Sequence, residues 1–61
     1  MSKYAVEVEA NKADGFNIPE AKIIDRKENA EDGTVVFIVE SKKDIRWSTS
    51  DQPGVIAIEP L

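Results

Sequence analysis

The sequence predicts an all-β fold: a small single domain of four to five short antiparallel strands, forming a meander, an open sandwich or a small barrel. Three observations predict it. Apolar and polar residues alternate with a period of two in several windows, the most apolar window is rich in β-branched residues, and Asp-Gly or Pro-Gly pairs separate the windows. With 61 residues, the chain has room for one domain, which we assign to residues 1–61.

The first predicted strand runs from Tyr4 to Ala10, where apolar residues alternate with alanine and glutamate. Such alternation is typical of a strand with one face in the core and the other in water. The pair Asp14-Gly15 then predicts a turn, because glycine adopts positive φ without steric cost.

The stretch that follows the first turn fits two structures. A helix near residues 19–29, with Asn17 as its N-cap, would make the chain a small α+β domain. Its apolar stripe is narrow, however, and a run of charged residues follows it. We therefore prefer a strand from Ala21 to Lys27, with Asn29 to Gly33 as a hairpin loop, and keep the helix as the alternative.

The window from Thr34 to Glu40 is the most apolar in the chain and predicts the central strand. Both of its faces are apolar: they carry Val35, Phe37 and Val39 on one side, and Val36 and Ile38 on the other. A single sheet would leave one of these faces in water, so we predict a homodimer or a larger homo-oligomer. The alternative is that the first strand and the loop 16–18 fold over the second face and close a barrel.

Two further strands are predicted after the central one. Alternation from Ile45 to Thr49 indicates a fourth strand, and Pro53-Gly54 has the composition of the centre of a type II turn. The last strand, Val55 to Ile58, is expected beside the central residues Val35 to Val39 and ends before Pro60.

The composition excludes several kinds of chemistry. The chain has no cysteine and no histidine, so it lacks disulfides, thiolate zinc sites and the Cys-His and Ser-His-Asp catalytic groups. We expect a protein that is not an enzyme and that holds no metal and no cofactor.

Charge and hydropathy limit the partners. Twelve acidic against eight basic residues give a net charge of −4, which argues against nucleic acid, because its phosphates attract clustered Lys and Arg. No apolar run approaches the roughly 20 residues of a membrane span, so we expect no membrane partner and a cytoplasmic location.

The acidic balance instead favours a partner protein with a basic surface. Our first functional prediction is a small binding protein or inhibitor that acts through protein–protein association, because complementary charge speeds encounter. The carboxylates expected to form its acidic surface are Glu7, Glu9, Asp25, Glu28, Glu31 and Asp32.

The second functional prediction is a homo-oligomeric binder that sequesters a small anionic ligand such as a nucleotide. One segment has the required composition: an arginine that can fork onto a phosphate, an indole that can stack on a base, and hydroxyl groups. Its residues are Lys42, Lys43, Arg46, Trp47, Ser48, Thr49 and Ser50. The competing interpretation is structural: Trp47 anchors a core or an interface, and Arg46 pairs with Glu40 or Glu59 across a strand.

Overall fold

The computed structural model describes residues 2–46, 49 and 51–61. The elements found there are β1 (Ser2–Glu9), a 3₁₀ helix (Ala10–Gly15), β2 (Ala21–Asn29), β3 (Thr34–Ser41) and β4 (Val55–Pro60). The strands form one antiparallel sheet in the order β2-β3-β1-β4. The predicted all-β fold is confirmed, and the sheet is open rather than closed into a barrel.

β2 is a strand and not the alternative helix. It pairs with β3 through a hairpin in which Gly33 has a φ of 68°, as the predicted loop requires. Every residue of β2 except Ala21 is exposed. The charged run that made a core helix unfavourable is therefore part of an edge strand. Charged side chains on an edge strand discourage pairing with a further strand.

The strand order forces two long crossings. β1 and β2 lie on either side of β3 and run in the same direction, and β3 and β4 flank β1 in the same way. Residues 10–20 and 42–54 must therefore each return from one end of the sheet to the other. Buried residues from both crossings, Ala13, Ile18 and Ile45, join one core cluster with the strands.

Both crossings lie on the same side of the sheet, which we call the covered face. Its buried apolar strand residues are Tyr4, Val6, Val8, Val35, Phe37 and Val39. Ala21, Val55 and Ile58 are partly buried against them. Phe16 stacks on Phe37 with ring centroids 4.7 Å apart, and the guanidinium carbon of Arg26 lies 5.5 Å from the Phe37 centroid. The loop 16–18 thus covers this face and not, as the barrel alternative required, the second one.

The opposite side of the sheet is the open face. Its central side chains are Ala5, Glu7, Val36, Ile38, Ala57 and Glu59, and all of them are half-buried or exposed. The prediction that the central strand is apolar on both sides is therefore correct, but only one side is covered by the described part of the chain.

The predicted fourth strand is wrong. Arg46 and Thr49 are helical, and the Thr49 N–H donates to the Ile45 carbonyl at 2.9 Å, as in a helical turn. Ile45 and Thr49 are both fully buried. The strand alternation assigned to Trp47 and Ser48 lies outside the described residues.

The predicted neighbour of the last strand is also wrong. β4 pairs with β1, not with β3, because β1 and β2 already occupy both edges of β3. A third difference concerns the Asp14-Gly15 turn. The chain forms a 3₁₀ helix there, and Gly15 does not have positive φ.

The turn before β4 has the predicted type II features. Gly54 has a φ of 89°, and the Val55 N–H donates to the Gln52 carbonyl at 3.3 Å. The Gly54 carbonyl in turn accepts a hydrogen bond of 2.8 Å from the N–H of Glu9. The turn is therefore tied to the end of β1.

Gly54→Ala is expected to lower the free energy of unfolding by about 1–3 kcal/mol, because alanine is strained at positive φ. Its Cβ would also lie 2.7 Å from the Lys12 Cβ, so the backbone must shift. Gly15→Ala is the matched control: its Cβ meets nothing within 4 Å, and the change should stay within about 0.5 kcal/mol. Urea unfolding measures both, and equal effects would contradict this description of the turn.

Candidate functional site

Four predicted acidic residues lie toward one end of the sheet, where β1 ends beside the β2–β3 hairpin. The Ala10 N–H donates to the Gly33 carbonyl at 2.9 Å, and Glu9 is the register partner of Thr34. These contacts hold the end of β1 against the hairpin loop. We call this cluster the acidic end; its members are Glu7, Glu9, Glu31 and Asp32.

Two carboxylates of the acidic end are held by hydrogen bonds. The hydroxyl of buried Thr34 donates to Glu7 Oε2 at 3.1 Å, and the Asn29 side-chain amide donates to Asp32 Oδ2 at 2.9 Å. Glu9 and Glu31 are exposed. Because a carboxylate offers about four lone-pair positions, each oriented group keeps sites for a partner.

The other two predicted acidic residues lie apart from this cluster on β2. Asp25 is opposite Ile38 and lies on the open face, halfway along the edge strand β2. Glu28 is opposite Val35 on the covered-face side and accepts a hydrogen bond of 3.3 Å from Arg26. The six predicted residues therefore do not form one patch.

Lysines gather at the opposite end of the sheet. Lys3 and Lys22 are both register partners of Glu40, and exposed Lys42 and Lys43 follow the end of β3. We call these four residues the lysine end. The fold therefore separates the hairpin carboxylates from most of the lysines along the direction of the strands.

Arg46 is paired with Asp44, and not with the expected Glu40 or Glu59. Its Nε donates to both carboxylate oxygens at 3.0 and 3.1 Å, and a terminal nitrogen donates to Oδ2 at 2.7 Å. These side-chain hydrogen bonds, together with one from the Arg46 N–H, lower the pKa of Asp44 to about 2. The same pairing raises the pKa of Arg46.

The pairing bears on the predicted anion site. The fork of Arg46 is engaged with a carboxylate, which a phosphate would have to displace. Thr49 is fully buried, and its hydroxyl has no hydrogen-bond partner among the described residues. Trp47, Ser48 and Ser50 lie outside the described residues, so the anion site stays a prediction.

Sequence reasoning identified the apolar second face of β3 but not the residues that flank it on the open face. A shallow depression of about 260 Å³ lies on it, lined by Ala5, Glu7, Val36, Ala57 and Glu59. The apolar second face of β3 was the only signal in the sequence. The residues beside it depend on strand order and register, which become known only from the structure.

Two other kinds of site are absent from the part of the chain that the structure describes. Within residues 2–46, 49 and 51–61, no group of three or more acidic side chains is placed to hold a metal ion. In the same residues, no helix is long and apolar enough to cross a bilayer.

Comparison of the chain with protein-family models, curated proteins and solved structures found no match.

The pKa of Asp44 is expected at about 2 in the folded protein, against an ordinary 3.8. Because the folded-state pKa is depressed, the stabilising effect of the pair is complete above the unfolded value. It is lost as the pH falls from about 4 through about 2. Arg46→Gln should raise this pKa toward 3.8.

NMR titration of the side-chain carboxyl carbon measures the pKa directly. Arg26→Gln is the control, because Arg26 pairs with Glu28 and not with Asp44. An Asp44 pKa that is near 3.8 in the wild type, or that Arg46→Gln leaves unchanged, would contradict the observed pairing.

Proposed function

We propose that this chain is a small non-enzymatic binding protein whose acidic end engages a basic surface on a larger protein. The observation that carries the proposal is that the fold gathers carboxylates from β1 and from the hairpin loop at one end of the sheet. The lysines that could neutralise them lie mostly at the other end.

The carboxylates of the acidic end are available for a partner. Two ion pairs form among the described residues, Arg26 with Glu28 and Arg46 with Asp44, and neither uses the acidic end. An exposed cluster of one charge accelerates encounter with an oppositely charged surface and makes association sensitive to salt.

Rigidity supports the same function. Glu7 and Asp32 are oriented by hydrogen bonds, and the hairpin is tied to β1 through the backbone. Side chains that are already ordered lose less conformational entropy when a partner binds. The acidic end is therefore better suited to recognition than four carboxylates on a flexible segment.

The second predicted function, sequestration of an anionic ligand, gains no support from the described contacts. Arg46 is engaged by Asp44, and Thr49 is buried. The acidic end therefore remains the better supported surface.

Affinity capture from the source cell at low salt, with quantitative mass spectrometry, tests this function. The double variant Glu31→Gln/Asp32→Asn removes two negative charges from the hairpin loop. At roughly 0.5–1 kcal/mol per exposed contact, recovery of the partner should fall about tenfold.

Glu20→Lys is the matched control. It changes the net charge by the same amount at an exposed residue next to β2, at the lysine end of the sheet. It should capture the same partner as the wild type, and raised salt should release that partner from both. Equal capture by the hairpin variant, or equal loss with both variants, would overturn the proposal.

A further inference from the structure

The open face carries its charges in a regular pattern of rows across the strands. Residues directly opposite one another in an antiparallel pair share a face, so the strand registers define each row. From the lysine end to the acidic end, the rows are Lys22–Glu40–Lys3, Asp25–Ile38–Ala5–Glu59, Lys27–Val36–Glu7–Ala57 and Asn29–Thr34–Glu9.

The charges of the open face are complementary to those of a second copy that faces it with the order of its rows inverted. In this face-to-face arrangement, each strand lies over the same strand of the other copy. The second row of one copy then meets the third row of the other. Asp25 then meets Lys27 on β2, and Ile38 meets Val36 on β3. In the outer rows, Lys3 meets Glu9 on β1.

We propose that a second copy of this chain covers the open face. The twofold axis that relates the copies runs across the strands, between the two middle rows. This symmetry repeats every contact twice, so the dimer has two Asp25–Lys27 pairs, two Lys3–Glu9 pairs and a centre formed by Ile38 and Val36 of both copies.

The other simple arrangement has a twofold axis parallel to the strands. It would place Asp25 over Glu59, so that like charges meet twice. In both arrangements Glu7 faces an apolar residue of the second copy, which is Ala5 with the axis across the strands and Val36 with the axis parallel to them. Like charges that face each other oppose association, whereas the axis across the strands places only opposite charges over one another. Charge complementarity therefore selects the axis across the strands.

The size of the face predicts a reversible dimer. Strands about 4.8 Å apart and rows about 6.8 Å apart give an open face of roughly 400 Å² per copy, so the pair would bury roughly 800–1,000 Å². Stable interfaces bury about 1,200 Å² or more in total, and we therefore expect a dissociation constant in the micromolar range.

The dimer does not depend on the proposed function. It covers Glu7 and Glu9, but the facing rows do not include Glu31 and Asp32 of the hairpin loop. The variant Glu31→Gln/Asp32→Asn should therefore dimerise like the wild type, so failure of one proposal is distinguishable from failure of the other.

Charge exchange within β2 tests the dimer. In Asp25→Lys, the new lysine faces Lys27 of the second copy; in Lys27→Glu, the new glutamate faces Asp25 of the second copy. Each single variant should weaken dimerisation at least about tenfold, because two attractive pairs become two repulsive ones.

The double variant Asp25→Lys/Lys27→Glu restores opposite charges and has the same net charge as the wild type. Its dissociation constant should return to within about threefold of the wild type. All four proteins are compared by sedimentation velocity from about 10 µM to 1 mM, with circular dichroism to establish that each is folded.

Three outcomes would overturn the proposal. One is a wild type that stays monomeric over the whole concentration range. The second is a single variant that associates as tightly as the wild type. The third is a folded double variant that does not recover dimerisation, since this result would exclude the axis across the strands.

Discussion

Both long connections of this chain cross the same face of the sheet, and the rest of the structure depends on that constraint. Strand order β2-β3-β1-β4 makes each connection return along the strands, and Ile18 and Ile45 are buried over the residues of the covered face. The core is therefore one-sided. Within residues 2–46, 49 and 51–61, the apolar residues of the second side stay half-buried or exposed.

The strands could be predicted because their evidence is local. Each signal determines the backbone conformation of residues close to it in the sequence. These signals are the alternation in β1, the β-branched residues in β3 and the glycine at position 33. The helical turn at Ile45 could not be predicted in this way. Residues four apart share a face in a strand and also in a helix, so burial of Ile45 and Thr49 fits both structures. The position of β4 depends on competition among strands for the edges of β3, which no local pattern records.

Four of the six predicted acidic residues lie at one end of the sheet, for a related reason. Residue type identified the carboxylates, and the hairpin brought Glu31 and Asp32 next to the end of β1. Register then separated Asp25 and Glu28 from them. Arg46 shows the same limit: it binds Asp44, two positions away, because a turn and not a regular strand follows β3. The self-complementary rows of the open face require every strand register at once.

The central claim is that the core covers one face of the sheet and that a second copy covers the other. Its most direct test is isotope-filtered NMR on a mixture of labelled and unlabelled protein. The account predicts intermolecular contacts between the methyl groups of Ile38 and Val36, the residues at the centre of the open face. Contacts that instead join exposed Ile23 or Ile24 would indicate association through the β2 edge and would contradict it. An absence of any intermolecular contact at millimolar concentration would contradict it equally.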